Sequence, residues 1–562
     1  MNKLIKIFVA AGILLGTTGC GDWLEYNEVS EYTKDQTFNN FQRVNNYVTN
    51  VYSRLENGLG GYDNGATLAS ACDEAECAWP ASNVHSFYNG AWGALRPLTS
   101  TWANSYWGIR SANLYLETWE NYTFEDFKHN LDYPEQMERY RRYQYEIRFL
   151  RAYFYFELVK TYGDVPLITK TLTAEEANMV GRTSKTEIFK FIVDECDAIV
   201  DHLPVNYASL PYAETGRITN LTVMALKARA LMYAASPLFR DANADEKELW
   251  YQAALANKLL LDECKKNGIQ LDNYANLTGA NNFKNKEVIY TRRLGNLNTF
   301  EVNNFPIGVE GGNSGNCPTQ TLVDAYRMQA TGKYWNEEGS GFDPENPYAG
   351  RDPRMALTIV TNGTTKWPNW NTNPIETFEG GLNGAPLVGA TPTGYYLRKY
   401  CDPAIDLRPG KVNTLRHSWI MYRIAEFYLN YAECVTNYFG NPSQTNTEFP
   451  ESAIQKLNEL KTFRKMPKIP ETVSMDDFMD YYRNERMVEL AFEGHRFWDV
   501  RRWKMGKELF KSVDFMKLTK IDGKIKYERI TQERGWEDKM YFFPIADEEL
   551  RKNINLTQNP GW

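Results

Sequence analysis

The stretch Arg148-Phe149-Leu150-Arg151-Ala152-Tyr153-Phe154-Tyr155-Phe156-Glu157-Leu158, running on to Thr161-Tyr162-Gly163-Asp164-Val165-Pro166, carries the clearest fold signal in the chain. Ile147, Leu150, Phe154 and Leu158 recur at three- and four-residue spacing, one stripe of a helix over residues 140–162. Gly163 and Pro166 stop it. The opposite face carries Phe149, Tyr153 and Phe156, so neighbours cover this helix on both sides.

Working outward, the same period predicts helices over 38–55, 106–119, 185–203, 220–235, 246–266, 419–438 and 450–464. They group as 38–57 with 104–119, 140–162 with 185–203, 220–236 with 246–266, and 419–438 with 450–464. Four amphipathic pairs predict a mainly α, tetratricopeptide-like helical repeat solenoid, although loops of unequal length remove the strict period of about 34 residues. A further strong helix is expected within 475–562.

Between 267 and 418 the texture changes to Asn, Gly, Pro and Thr with few periodic runs, as in Gly311-Gly312-Asn313-Ser314-Gly315-Asn316 and Trp367-Pro368-Asn369-Trp370-Asn371. So long an irregular stretch exceeds a plain connection and predicts a loop-rich ligand-binding lobe on a rigid scaffold. The expected divisions are 1–19, 20–266, 267–418 and 419–562.

Composition narrows the function classes. The chain has 562 residues, beyond the ~250–300 at which one core stops growing. Lys plus Arg number 63 against 71 Asp plus Glu, a net charge of −8, which argues against a nucleic-acid partner. Hydrophobic residues at 43% exclude global disorder, and a mean hydropathy of −0.54 excludes a polytopic membrane protein. Aromatics reach 14%, a first hint of ring-mediated recognition.

The N-terminus reads as a targeting segment. Lys3 and Lys6 precede the apolar run 7–15, which is too short for the ~20-residue helix that spans a bilayer. Small residues then lead through Gly19 to Cys20, the pattern of a bacterial lipoprotein signal, with Thr17 where many such signals have Leu. Cys20 is the expected acylation site, and several acyl chains would hold the protein on a membrane. Of the other cysteines, Cys72 and Cys77 are close enough in sequence to leave a disulfide open. Five scattered histidines and no Cys-x-x-Cys pair predict no metal site, and no cofactor is expected.

Three further stretches complete the pattern. They are Tyr422-Arg423-Ile424-Ala425-Glu426-Phe427-Tyr428-Leu429-Asn430-Tyr431-Ala432-Glu433; Arg483-Asn484-Glu485-Arg486 through Glu489-Leu490-Ala491-Phe492-Glu493-Gly494-His495-Arg496-Phe497-Trp498-Asp499 to Arg502-Trp503; and the tail Phe543-Pro544-Ile545 with Asn555-Leu556-Thr557-Gln558-Asn559-Pro560-Gly561. With the start Cys20-Gly21-Asp22-Trp23-Leu24 and the helix quoted first, they resemble the SusD/RagB family of outer-membrane nutrient-binding lipoproteins from end to end. The resemblance implies four tetratricopeptide-like pairs and an acylated protein on the outer face of the outer membrane. It also implies an oligosaccharide or peptide ligand, a SusC-like TonB-dependent transporter as partner, and no catalysis.

Glu485, Glu489 and Glu493 share one helix face, where a glycosidase would need two carboxylates ~5–9.5 Å apart. Their company of Arg483, Arg486, Arg496, Arg501 and Arg502 favours a structural ion-pair network. Ligand contacts are expected elsewhere, because a sugar presents an apolar face to flat rings and hydroxyls to amides and charges. One candidate set is Trp79, Asn83, Phe87 and Trp92; the other, in the lobe, is Phe305, Tyr334, Trp335, Trp367 and Trp370. Across the two sets Trp79, Trp335 and Trp367 lead, whereas Trp107, Trp419, Trp498 and Trp503 sit on helical patterns and read as core. Two rivals remain: a RagB-like peptide binder, and a surface glycoside hydrolase using carboxylates among Glu337, Glu338, Asp343 and Glu345.

Overall fold

The computed structural model describes residues 32–210 and 214–562; the expected signal segment 1–19 and Cys20 lie outside the described residues. The scaffold helices are α1 (Phe41–Tyr52), α2 (Thr101–Thr118), α3 (Tyr133–Tyr162), α4 (Lys185–Ile199), α5 (Asn220–Ala235), α6 (Glu246–Lys266), α7 (Ile424–Phe439) and α8 (Ala453–Phe463). From α2 onward each helix packs on the next, so the helices form one continuous repeat stack. This holds even between α6 and α7, which meet although the whole lobe separates them in sequence. The lobe is therefore an insertion that leaves the stack unbroken.

Local chemistry starts these helices. Ser184, Asp245 and, in reciprocal capping boxes, Thr219 and Ser452 accept from third-residue amides that would otherwise lack partners. Gly108 lets α2 lie close on α3, since a Cβ there would stand 2.3 Å from Phe154. The first pair differs from expectation: α1 packs chiefly on α3 rather than on α2. Its buried stripe Val44, Val48 and Val51 faces the core, and Tyr143 of α3 donates to Asn45 at 3.0 Å.

Trp419 does not begin a helix. Residues Leu415–Arg423 form strand β4, antiparallel to β2 (Val288–Leu297), and α7 starts at Ile424. A stretch whose side chains are buried on both faces gives the same apolar run whether helix or strand, and here backbone pairing with a distant segment decides. The pair joins the lobe's entry to its exit. A short ladder between β1 (Ala75–Cys77) and β3 (Asn316–Pro318) ties the N-terminal loops to the lobe. The hairpin β5 (Ser512–Ile521) and β6 (Lys524–Glu533) packs β5 on the lobe.

The fourth motif forms α9 (Met475–Glu489) and α10 (Arg496–Arg502). Its carboxylates are buried among cations. Glu489 meets Arg423, Arg464 and Arg354 at 2.7 Å each; Glu493 meets Arg423 and Lys399 at 2.7 Å; Glu485 meets Arg354 at 2.5 Å and Lys461 at 3.4 Å. Glu287 and Asp352 complete a set of five carboxylates facing five cations, Arg354, Lys399, Arg423, Lys461 and Arg464. Arg354 and Lys399 come from the lobe, so the network bolts lobe to scaffold. Burial alone would raise the Glu489 carboxyl, but the surrounding guanidiniums hold it well below the usual carboxylate range.

Candidate functional site: a cleft under the N-terminal loops

A cleft of about 800 Å³ opens where loops 53–69 and 83–101 meet α3, β2 and β4. It is a size that ligand sites favour. Tyr62, Phe87, Trp419 and Trp498 contribute its apolar walls, and Asn57, Asn83, Asn104, Ser53, Thr99 and Thr101 its polar lining. Gly58 lies against the indole of Trp419, 2.5 Å from where its Cβ would stand, so only glycine lets this loop approach so closely. The Asn57 side chain accepts from the Gly60 amide at 3.1 Å and fixes the turn. Asp63 accepts from Ser82 Oγ at 2.8 Å and from the Asn83 amide at 2.6 Å, which joins the two loops.

Charge concentrates at the inner end. Lys160 Nζ bonds Glu157 at 2.8 Å and stands 4.8 Å from the Trp498 ring centroid. The Glu56 carboxylate makes no hydrogen bond among the described residues. Burial, opposed by Lys160, lifts its pKa above the ordinary value. A narrow extension of about 30 Å³ continues inward past Glu56 to His495 and Arg229. Arg292 donates to the Ser53 carbonyl at 2.9 Å and anchors the loop to β2.

The structure redistributes the expected ligand residues. Asn83 is exposed on the cleft. Phe87 edges the cleft with only 3% of its surface exposed, and Trp92, 6% exposed and outside the cleft, is a correction to the expected display of rings; both pack in an aromatic cluster with Phe497, Phe543 and Trp562. The C-terminal rings that cover them are far away in sequence. Phe305 and Trp367 are likewise buried, 0% and 2% exposed, and pack on each other at 6.0 Å because the lobe needs a core of its own. Trp79 is half-buried behind the cleft's rim loop, against Gly65, and donates to the Asn313 carbonyl at 2.8 Å.

The other lobe rings are half-buried and lie outside the cleft. Arg327 covers Tyr334 at 3.6 Å, Arg529 lies 4.9 Å from Trp335, and Trp370 donates to the Ile405 carbonyl at 2.9 Å under Arg408. Trp79, Trp335 and Trp367 are thus not brought together. Trp419 and Trp498, expected in the core, are buried there at 4% and 8% exposed, and their residual surface lines the cleft, a second role that no local pattern in the sequence signals. Cys72 and Cys77 are both free and buried. No three His, Cys, Asp or Glu side chains are grouped to hold a metal, and no helix is long and apolar enough to cross a membrane, among the described residues.

Comparison with known proteins fits this architecture. The model of the SusD family matches residues 281–562, half of the chain, and the model described as "Starch-binding associating with outer membrane" matches 22–232. This chain belongs to the SusD family. A curated relative, SusD-like protein P25 of Formosa agariphila, is 23% identical over 553 residues, covering 91% of this chain and 92% of its own. A SusD-like protein from Bacteroides fragilis of known structure is 25% identical with a TM-score of 0.77, covering 94% of this chain and 99% of its own. A structure described as a laminarin binding SusD-like protein is 20% identical with a TM-score of 0.61, covering 92% and 97%. The SusD-like repeats of those structures match the helical stack described above.

Proposed function

We propose that this SusD-family protein is a cell-surface glycan-binding lipoprotein. It captures oligosaccharides in the 800 Å³ cleft and hands them to a SusC-like TonB-dependent outer-membrane transporter. The observation that carries this is the cleft itself, in which amides and hydroxyls surround aromatic walls. The laminarin-binding relative supports a carbohydrate as the ligand class. Association with the outer membrane is supported by the name of the N-terminal family model; acylation at Cys20 and an exterior-facing orientation complete the reading. In this reading residues 20–266 and 419–562 are scaffold and 267–418 the lobe.

The protein binds and does not cleave. The motif carboxylates Glu485, Glu489 and Glu493 are locked to arginine and lysine, which hold their pKa values down. The raised carboxyl on the cleft itself is Glu56, so a reducing-end assay is the deciding measurement. Weak binding suits handover, because the ligand must leave for the transporter, and tethering raises its local concentration.

Affinity electrophoresis in gels containing laminarin, starch or xylan tests the reading. Retardation by a glycan, lost when Asn83 and Asn104 are replaced by Ala, supports it. New reducing ends on incubation would make the protein a hydrolase, and binding of peptides with no glycan retarding it would move the ligand to the RagB-like class.

A further inference from the structure

We propose that the lobe carries a second, separate saccharide subsite, built around Arg398 and Trp367, that takes an anionic group: a carboxylate or a sulfate ester on a glycan. The saccharide part of this inference rests on the glycan-binding reading above. The subsite is a pocket of about 470 Å³ lined by 275–276, 278–281 and 284–285 on one side and by Leu357, Trp367, Arg398 and 401–403 on the other. No residue is shared with the lining of the cleft.

Its chemistry is that of an oxyanion receptor with its partner missing. The Arg398 guanidinium lies 4.6 Å from the Trp367 ring centroid and makes no hydrogen bond or ion pair among the described residues. Arg398 is half-buried, unlike the fully buried Arg354, Arg423 and Arg464, which each meet two or more carboxylates. Arg182 and Arg292, also half-buried and without an acid, donate to backbone carbonyls instead. Burial with no acid beside it lowers the Arg398 pKa, whereas the paired arginines are raised. A planar fork of N–H donors held against an indole matches the two oxygens of a carboxylate or sulfate.

Two further groups lack partners. The Trp367 indole N–H makes no hydrogen bond among the described residues, but it is sealed from the pocket's open space, so Trp367 offers the ligand ring edge and support for Arg398 rather than a donor. Lys284, exposed at the pocket's rim, makes no ion pair among the described residues, and its ammonium stands 5.9 Å from the Phe283 ring centroid. The one acid in the lining, Asp402, is already committed: its two oxygens accept from the amides of Ala280 and Ala404 at 2.9 Å each. The lining thus carries two cations without an acid partner among the described residues against one carboxylate, Asp402, whose oxygens already accept from backbone amides. Asn276 and Asn281 add amides for sugar hydroxyls.

Isothermal titration of the chain with three probes tests this: an oligogalacturonate for the carboxylate, a sulfated carrageenan oligosaccharide for the sulfate ester, and a neutral laminari-oligosaccharide for the cleft. The expected result is that the wild type binds an anionic probe and that Arg398→Gln weakens it tenfold or more. Arg398→Lys keeps part of the affinity, and affinity for the neutral probe moves less than twofold. Which anionic probe binds identifies the source of the charge. Lys284→Gln, on the exposed rim, should weaken the same probe severalfold and gives the answer if the Arg398 variants do not fold. The proposal is overturned if neither anionic probe binds the wild type, or if either binds Arg398→Gln and Lys284→Gln as tightly as it binds the wild type. Failure of the neutral probe alone would instead count against the cleft.

Discussion

Arg423, the last residue of β4, meets Glu489, the last residue of α9, with Nη1 2.7 Å from Oε1 while both side chains are essentially sealed from water. The same guanidinium reaches Glu287 at 3.0 Å and Glu493 at 2.7 Å. One side chain thus ties the neck of the lobe to the C-terminal motif.

Removing one member of such a set strands the others without compensation. Arg423→Met should cost about 3–5 kcal/mol of unfolding free energy, read by urea denaturation. A loss below about 1 kcal/mol would mean that the network is not what holds the lobe in place.

The cleft makes a different demand. Each neutral hydrogen bond contributes about 0.5–1.5 kcal/mol, so replacing both Asn83 and Asn104 by Ala should weaken a retained glycan roughly tenfold. Trp335→Ala should leave the same gel shift unchanged, because Trp335 is not in the cleft. A shift abolished by Trp335→Ala and indifferent to both asparagines would relocate the site to the lobe surface.

The cysteines give a chemical readout of burial. The seven in the described residues are free and buried, and burial pushes thiols such as Cys264 up to about 12. A chain beginning after Cys20 should therefore react slowly with Ellman's reagent when native and release seven thiols when unfolded. Five would mean that Cys72 and Cys77 are bridged.

Two histidines should tilt the pH dependence of stability in opposite directions. Burial depresses His417, but Glu301, 2.8 Å away, outweighs it and raises the pKa. That contribution is complete below the unfolded value of about 6.5 and fades as pH rises through the folded one. His495 is depressed well below its ordinary value by burial and by Arg229, Arg486 and Arg423, so the unfolded chain alone takes a proton as pH falls below about 6.5. In urea titrations at about pH 5.5 and about pH 8.5, His417→Gln should lose more stability relative to wild type at the acid end, and His495→Gln should gain there. Parallel curves for wild type and both variants would refute both assignments.

The scaffold was legible where a helix carries its own evidence. The spacing of Ile147, Leu150, Phe154 and Leu158 predicts α3 directly, and its start at Tyr133 rather than at 140 is a boundary detail. Trp419 misled because a doubly covered strand and a buried helix show the same apolar run, and only pairing with β2 separates them. The crowd of arginines around Glu489 pointed to ion pairing. Yet Glu287, Arg354 and Arg464 come from remote segments, which no local pattern connects.

The cleft was less legible for the same reason. It is assembled from six distant stretches, so Asn83 was found through composition while Glu56, Asn104 and Trp419 were not. Ring counting identified aromatic-rich loops, but it cannot tell a ring capped by Phe543 from one that faces solvent.

The direct seat of α6 on α7 makes the intervening lobe a guest in a frame that is already closed. A chimera could accept another lobe at the β2–β4 neck, provided the newcomer supplies counterparts of Arg354 and Lys399 for the waiting carboxylates of Glu485 and Glu493. Without those two plugs the sockets stay charged and dry, so the inheritance of new ligand preferences in such a molecule is gated by two basic side chains that need never touch a ligand.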